Sequence, residues 1–81
     1  MKAFYGRIGK RLPDAKGQVR FTFVHASGAI LELKMGSGKP LPLEHQRVIA
    51  MGELVGPGVI VGQEIRPDGD SAAESAHALN D

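Results

Sequence analysis

The sequence predicts a mainly β domain with one helix, folded as a small five-stranded antiparallel barrel. Three observations lead to this fold class. Three runs before residue 36 alternate apolar and polar residues, as half-buried strands do. Helix signals begin at residue 42, and two further short apolar runs flank a Gly-Pro-Gly turn at residues 56–58. The predicted order of elements is therefore β-β-β-α-β-β.

The first two predicted strands form a hairpin around the turn-forming sequence PDAKG. In a half-buried hairpin the apolar residues of both strands must share one face. The register that satisfies this rule pairs Phe4 with Phe23 and Ile8 with Val19. It leaves residues 12–15 as a four-residue loop, which is an acceptable hairpin length.

The second hairpin closes at residues 26–28, where Gly28 suits the left-handed position of a three-residue loop. This loop places Phe23 opposite Leu31 and brings apolar residues of both strands to one face. The core face expected from the two hairpins comprises Phe4, Ile8, Val19, Phe21, Phe23, Leu31, Leu33 and Met35.

The same two registers line up three rows of residues on the outer face of the three strands. The rows are Ala3, Val24 and Ile30; Tyr5, Thr22 and Glu32; and Arg7, Arg20 and Lys34. Like charges directly opposite each other destabilise a sheet, so a row of three cations suggests a function. A solvated face, partly compensated by the nearby Glu32, is the alternative interpretation.

A helix of about ten residues is predicted from Pro42 to a stop at Gly52, with Glu44 in its first turn. Proline is favoured at the first helical position, and an acid there complements the helix dipole. The apolar side of this helix would hold Leu41, His45, Val48, Ile49 and Met51.

Two short strands are predicted after the helix, pairing Val55 with Val59 and Glu53 with Val61. With these strands the element order matches a five-stranded OB-type barrel, which has its helix between the third and fourth strands. An SH3-like barrel and an open antiparallel sheet with one packed helix remain alternatives, because they hold the same elements.

Length and composition limit the classes of protein to which the chain can belong. Eighty-one residues make one small domain, expected over residues 1–66, followed by an acidic, disordered tail at residues 67–81. Because cysteine is absent, disulfides are excluded. No secretory signal or membrane-spanning run is found, so a cytoplasmic location without membrane contact is expected.

Charge is divided unevenly along the chain, and this division favours an anionic partner for the first half. Residues 1–40 carry eight Lys and Arg against two acids, whereas residues 41–81 carry two against seven. Cations neutralise phosphates, and an exposed aromatic ring can stack on a base. DNA or RNA is therefore a candidate ligand, bound with weak sequence specificity. The candidate nucleic-acid-binding residues are Tyr5, Arg7, Lys10, Arg11, Lys16, Arg20 and Lys34.

The apolar row of Ala3, Val24 and Ile30 supports a different hypothesis. An apolar patch on the outer face of a barrel is typical of an interface with another protein or a second copy. A protein-interaction or oligomerising module is therefore the alternative function.

Two short stretches resemble known nucleic-acid-binding families. The stretch GRIGKRL…GQVRFTF is similar to the first two strands of bacterial single-stranded DNA-binding proteins, and FVHAS resembles the Phe-Val-His element of cold-shock domains. The first covers only residues 6–23, and the aromatic-glycine strand of cold-shock domains is missing before the second. Neither resemblance assigns the chain to a family.

The sequence favours a non-enzymatic role. The three histidines, His25, His45 and His77, lie on different predicted elements, and no hydrolase or metalloprotease motif is present. We therefore expect no catalytic residues, no metal site and no cofactor.

Overall fold

The computed structural model describes residues 1–68, which form a closed barrel of five strands. The order around the barrel is β1-β2-β3-β5-β4, and β4 closes the barrel by pairing with β1. The β3–β5 pair is parallel, and the other four pairs are antiparallel. The strands are β1 Lys2–Ala15, β2 Gln18–His25, β3 Ile30–Gly36, β4 Arg47–Leu54 and β5 Val59–Pro67. The predicted five-stranded barrel is confirmed, but its expected all-antiparallel pairing is wrong, because β5 runs parallel to β3.

The predicted helix after Pro42 is wrong: no helix occurs in residues 1–68, and Arg47–Leu54 is strand β4. Burial along this segment alternates, with Val48 and Ala50 facing the core. The glycine interpreted as a helix stop, Gly52, lies inside the strand beside β5. A Cβ at this position would lie 2.0 Å from the carbonyl oxygen of Val61, so the close approach of two strands, and not a helix end, requires glycine.

Strand β1 is long and bent, which lets it pair with two neighbours. Its first half pairs with β4, and its second half pairs with β2. The two strands approach closely at Gly6, where a Cβ would lie 2.3 Å from the carbonyl oxygen of Val24. Just beyond Ile8 the β1–β2 register shifts, so that one extra residue of β1 is accommodated in a bulge.

The predicted register between the first two strands is wrong. Ile8 lies opposite Phe23, not opposite Val19. The chain turns at Lys16 and Gly17, whose φ angles of 52° and 75° are those of a two-residue type I′ hairpin turn. Residues 12–15, expected to form the loop, instead continue β1 as an irregular strand end.

The predicted register of the second hairpin is confirmed, with Phe23 opposite Leu31 and Phe21 opposite Leu33. The backbone N–H of His25 donates to the carbonyl oxygen of Ala29 at 2.8 Å, which closes a three-residue loop. Within this loop Gly28 has a φ of 95°, the left-handed conformation expected there.

The last hairpin also has the predicted pairing. Glu53 lies opposite Val61, and the N–H of Val55 donates to the carbonyl oxygen of Val59 at 2.7 Å. The two glycines of the turn, Gly56 and Gly58, both have positive φ.

The core fills the inside of the barrel and agrees with most of the predicted core face. It consists of Ile8, Val19, Phe21, Phe23, Leu33, Met35, Val48, Ala50 and Ile60. Phe4 and Leu31, predicted to be buried, are only partly buried and pack against this cluster. The acidic tail predicted for residues 67–81 lies outside the described residues from position 69 onward.

Candidate functional site

The predicted row of three cations is not formed. Arg20 and Lys34 are neighbours across β2 and β3, as expected. Arg7, however, lies opposite Val24 on β2 and opposite Arg47 on β4. The cause is the bent first strand, whose register differs from the predicted one.

Six of the seven predicted nucleic-acid-binding residues are therefore divided between two surfaces, and the seventh, Arg11, is paired with Asp14. One, here called the hairpin surface, holds Lys10, Lys16, Arg20, Glu32 and Lys34 on β1, β2, β3 and the β1–β2 turn. The other, here called the Arg7 groove, is a depression containing Tyr5 and Arg7 at the opposite end of β2.

On the hairpin surface, Arg20 makes a two-pronged contact with Glu32. Its Nε donates to Oε2 at 3.0 Å and its Nη2 donates to Oε1 at 3.2 Å. The Nζ of Lys34 lies 4.0 Å from the same Oε2. The hydrogen bond from Arg20 lowers the pKa of Glu32, with the charge of Lys34 contributing, and the same hydrogen bond raises the pKa of Arg20. One carboxylate thus relieves the repulsion between the two facing cations.

The other cations of this surface are more exposed. Lys10 lies at the bulge where β1 runs opposite Thr22, and Lys16 lies at the tip of the hairpin turn. Neither has an ion-pair partner within residues 1–68. The hairpin surface therefore presents four cations against one carboxylate.

Arg11 differs from these cations because acids lie beside it. Its Nη2 lies 3.2 Å from Oδ1 of Asp14, and its backbone N–H donates to Oε1 of Glu44 at 3.4 Å. This local compensation leaves Arg11 with less uncompensated positive charge than Lys10 or Lys16.

The Arg7 groove has a volume of about 640 Å³ and lies between the first half of β1 and the β2–β3 turn. It is lined by Tyr5, Gly6, Arg7, Val24, His25, Ala26, Gly28, Arg47 and Asp68. The ring nitrogen Nδ1 of His25 accepts the backbone N–H of Ser27 at 3.1 Å. In neutral histidine this places the ring proton on Nε2, which is then available as a donor.

Arg47 joins the groove from β4, directly opposite Arg7. Its Nη2 lies 3.8 Å from Oδ2 of Asp68, and the backbone N–H of Asp68 donates to the carbonyl oxygen of Arg47 at 3.1 Å. Sequence reasoning missed Arg47 because that segment was assigned to a helix. The sequence contains no clear strand signal here, because Val48 to Met51 are all apolar, and the alternation along β4 is one of burial in the folded barrel.

The predicted apolar row is also divided. Val24 and Ile30 are directly paired and are 38 % and 70 % exposed. Ala3 is not beside them, because it lies opposite Met51 on β4.

No family model, curated protein or solved structure matches this chain. In the part of the chain described, residues 1–68, no group of three or more His, Asp and Glu side chains could hold a metal ion. Nor does this part contain a helix that could cross a membrane.

Proposed function

We propose that this chain is a small, non-enzymatic module that binds nucleic acid with weak sequence specificity. The strand order β1-β2-β3-β5-β4, with β3 and β5 parallel, supports assigning its barrel to the OB type. In OB barrels the face of strands 2 and 3 and the adjoining loops bind oligonucleotides. The hairpin surface occupies this position.

The observation that carries the proposal is the charge of the hairpin surface. Lys10, Lys16, Arg20 and Lys34 converge on one side of a barrel whose whole chain has a formal net charge of only +1. Clustered cations attract phosphates and release condensed counterions when they bind. Their contacts would be made mainly to the backbone of the ligand, which carries little sequence information.

The conformation of Lys16 supports the same function. Its φ of 52° lies in the left-handed region, which asparagine, aspartate and glycine occupy more readily in a type I′ turn. A lysine kept at a less favourable position, on the tip of a basic hairpin, is consistent with selection for its charge.

Binding of oligonucleotides at two salt concentrations tests the proposal. Single-stranded and duplex oligonucleotides are titrated with wild type, with Arg20→Glu and with Lys2→Glu. The last variant makes the same charge change at the start of β1, opposite Gly52 of β4 and outside both surfaces. We expect binding that weakens steeply with salt and with Arg20→Glu but little with Lys2→Glu. Absence of binding at low salt would refute the proposal.

The exposed apolar pair favours a second candidate function, an oligomerising or protein-binding module. Val24 and Ile30 lie side by side on the outer face, and Leu54 and Val55 of the β4–β5 hairpin are also exposed. Sedimentation of the free protein and of Ile30→Glu tests this candidate. A concentration-dependent dimer in wild type that is lost in Ile30→Glu would support it, whereas a monomer at all concentrations excludes self-association.

A further inference from the structure

The Arg7 groove contains an arrangement that the barrel itself does not require. Arg7 and Arg47 face each other across β1 and β4. The N–H of Ile8 donates to the carbonyl oxygen of Gln46, so the Arg7–Arg47 pair next to it is of the non-hydrogen-bonded type. In such pairs the Cα atoms are about 4.5 Å apart and the side chains are close, so two like charges there oppose folding.

Within residues 1–68, one acid, Asp68, lies beside this pair of arginines. Asp68 lies 3.8 Å from Arg47 and holds it from one side. Arg7 has no ion-pair partner within residues 1–68. Within residues 1–68, two guanidinium groups therefore lie beside one carboxylate in a groove open to solvent.

Tyr5 lies two residues before Arg7, on the same face of β1, and its side chain is 52 % exposed. It is the one tyrosine of a chain without tryptophan, and each phenylalanine is in the core or packed against it. The only aromatic ring with a large exposed surface in residues 1–68 therefore lies beside the facing arginines.

We propose that the Arg7 groove binds a single unpaired nucleotide, with its phosphate between Arg7 and Arg47 and its base against the ring of Tyr5. This inference rests on the proposed function and specifies the ligand of one of its surfaces. Guanidinium groups bind phosphate oxygens through paired, charge-assisted hydrogen bonds, and bases stack on exposed aromatic rings. The groove volume of about 640 Å³ is within the usual range of small-molecule sites.

A consequence of this geometry is a preference for single strands. A base in a duplex is stacked and paired, so it reaches the ring of Tyr5 only after it has been unstacked at a free-energy cost. His25 also lines the groove, and its Nδ1 is held by the backbone N–H of Ser27.

The ring protons of Tyr5 provide the test, because a chain with one tyrosine gives one tyrosine spin system. NMR spectra of the full chain are recorded during titration with a single-stranded oligonucleotide and with its duplex. The variants are Arg7→Gln, Arg47→Gln and Arg66→Gln, the last a control at an exposed arginine of β5 outside the groove. The spread of the amide proton chemical shifts in these spectra shows whether each variant is folded.

We expect an upfield shift of the Tyr5 ring protons with the single strand and a smaller shift with the duplex. Arg7→Gln and Arg47→Gln should each weaken single-strand affinity by about tenfold, as for loss of a charge-assisted hydrogen bond, and Arg66→Gln should leave it unchanged. Oligonucleotide binding that shifts amides of the hairpin surface but not Tyr5 would overturn this inference and leave the proposed function standing. Absence of any shift would overturn both.

Discussion

At the scale of single residues, Gly6 shows how closely the strands of this barrel approach each other. A Cβ on this residue would lie 2.3 Å from the carbonyl oxygen of Val24 and 2.8 Å from Cζ of Phe23. Neither neighbour can move freely, because one is backbone and the other is the ring of a fully buried side chain. Glycine at this position is therefore a requirement of packing.

We expect Gly6→Ala to lower the free energy of unfolding by about 1–3 kcal/mol, the usual cost of overpacking. Gly36→Ala is the matched control, since the nearest atom to its Cβ would be Cε of the flexible Lys39 at 4.0 Å. The control should be neutral or slightly stabilising. Chemical denaturation measures both, and equal destabilisation by the two substitutions would contradict the strand approach described here.

Lys16 gives a prediction in which stability and binding change in opposite directions. Asparagine occupies the left-handed conformation more readily, so Lys16→Asn should raise the free energy of unfolding by about 0.5 kcal/mol. The same substitution removes a cation from the hairpin tip, so oligonucleotide affinity at low salt should fall. Denaturation and binding titrations check the two effects, with Lys2→Asn, at the start of β1, as a control for charge. An unchanged affinity would mean that Lys16 does not contact phosphate.

At the scale of elements, the ion pair across β2 and β3 predicts a pH dependence of stability. The pKa of Glu32 in the folded protein lies below its ordinary value of 4.5 because Arg20 donates hydrogen bonds to its carboxylate. A carboxyl whose pKa is lowered by folding stabilises the protein above its unfolded pKa. This stabilisation is lost as the pH falls below 4.5 through the folded pKa.

Glu32→Gln should therefore lose less stability than wild type when the pH is lowered from neutral to about pH 3. Denaturation at a series of pH values measures this difference. At neutral pH the variant should also bind oligonucleotides more tightly, because the one carboxylate of the hairpin surface is gone. Identical acid dependence in the two proteins would show that this ion pair does not contribute to stability.

The elements differ in how well the sequence predicts them, and the reasons are physical. The register of the second hairpin was predictable because Gly28 fixes its loop and both strands alternate without interruption. The first register was not, because β1 contains bulges that change which residues face the core. Strand β4 carries signals usually associated with a helix, and Gly52, interpreted as the helix stop, is explained by its close approach to Val61 of the neighbouring strand β5.

In the candidate site, too, some neighbouring residues could be predicted from the sequence and others could not. The pairing of Arg20 with Lys34 follows from the well-defined hairpin and was predicted. The neighbours of Arg7 depend on the bulged strand and were predicted incorrectly. Its neighbour across the strands, Arg47, was not predicted, because the pairing of β4 with β1 that closes the barrel is seen only in the structure.

At the scale of the whole molecule, barrel closure places six of the ten Lys and Arg residues on two separate surfaces. Pairing of β4 with β1 brings Arg47 to Arg7, while the β1–β2–β3 sheet gathers the cations around Arg20. A formal net charge of +1 therefore describes this chain poorly, because the local fields that steer a ligand come from these clusters. Of these two surfaces, we propose that the hairpin surface contacts the phosphates of the ligand.

The salt dependence of single-strand binding tests this claim most directly. The logarithm of the binding constant falls with the logarithm of salt concentration by about 0.7 for each phosphate contacted. A Lys10→Gln/Lys16→Gln variant should therefore show a slope smaller in magnitude by about 1.4 than wild type. A Lys2→Gln/Arg66→Gln variant removes the same charge at β1 and β5, outside the hairpin surface, and should keep the wild-type slope. Equal slopes for all three proteins, or no binding at low salt, would contradict the assignment of the hairpin surface to phosphate binding.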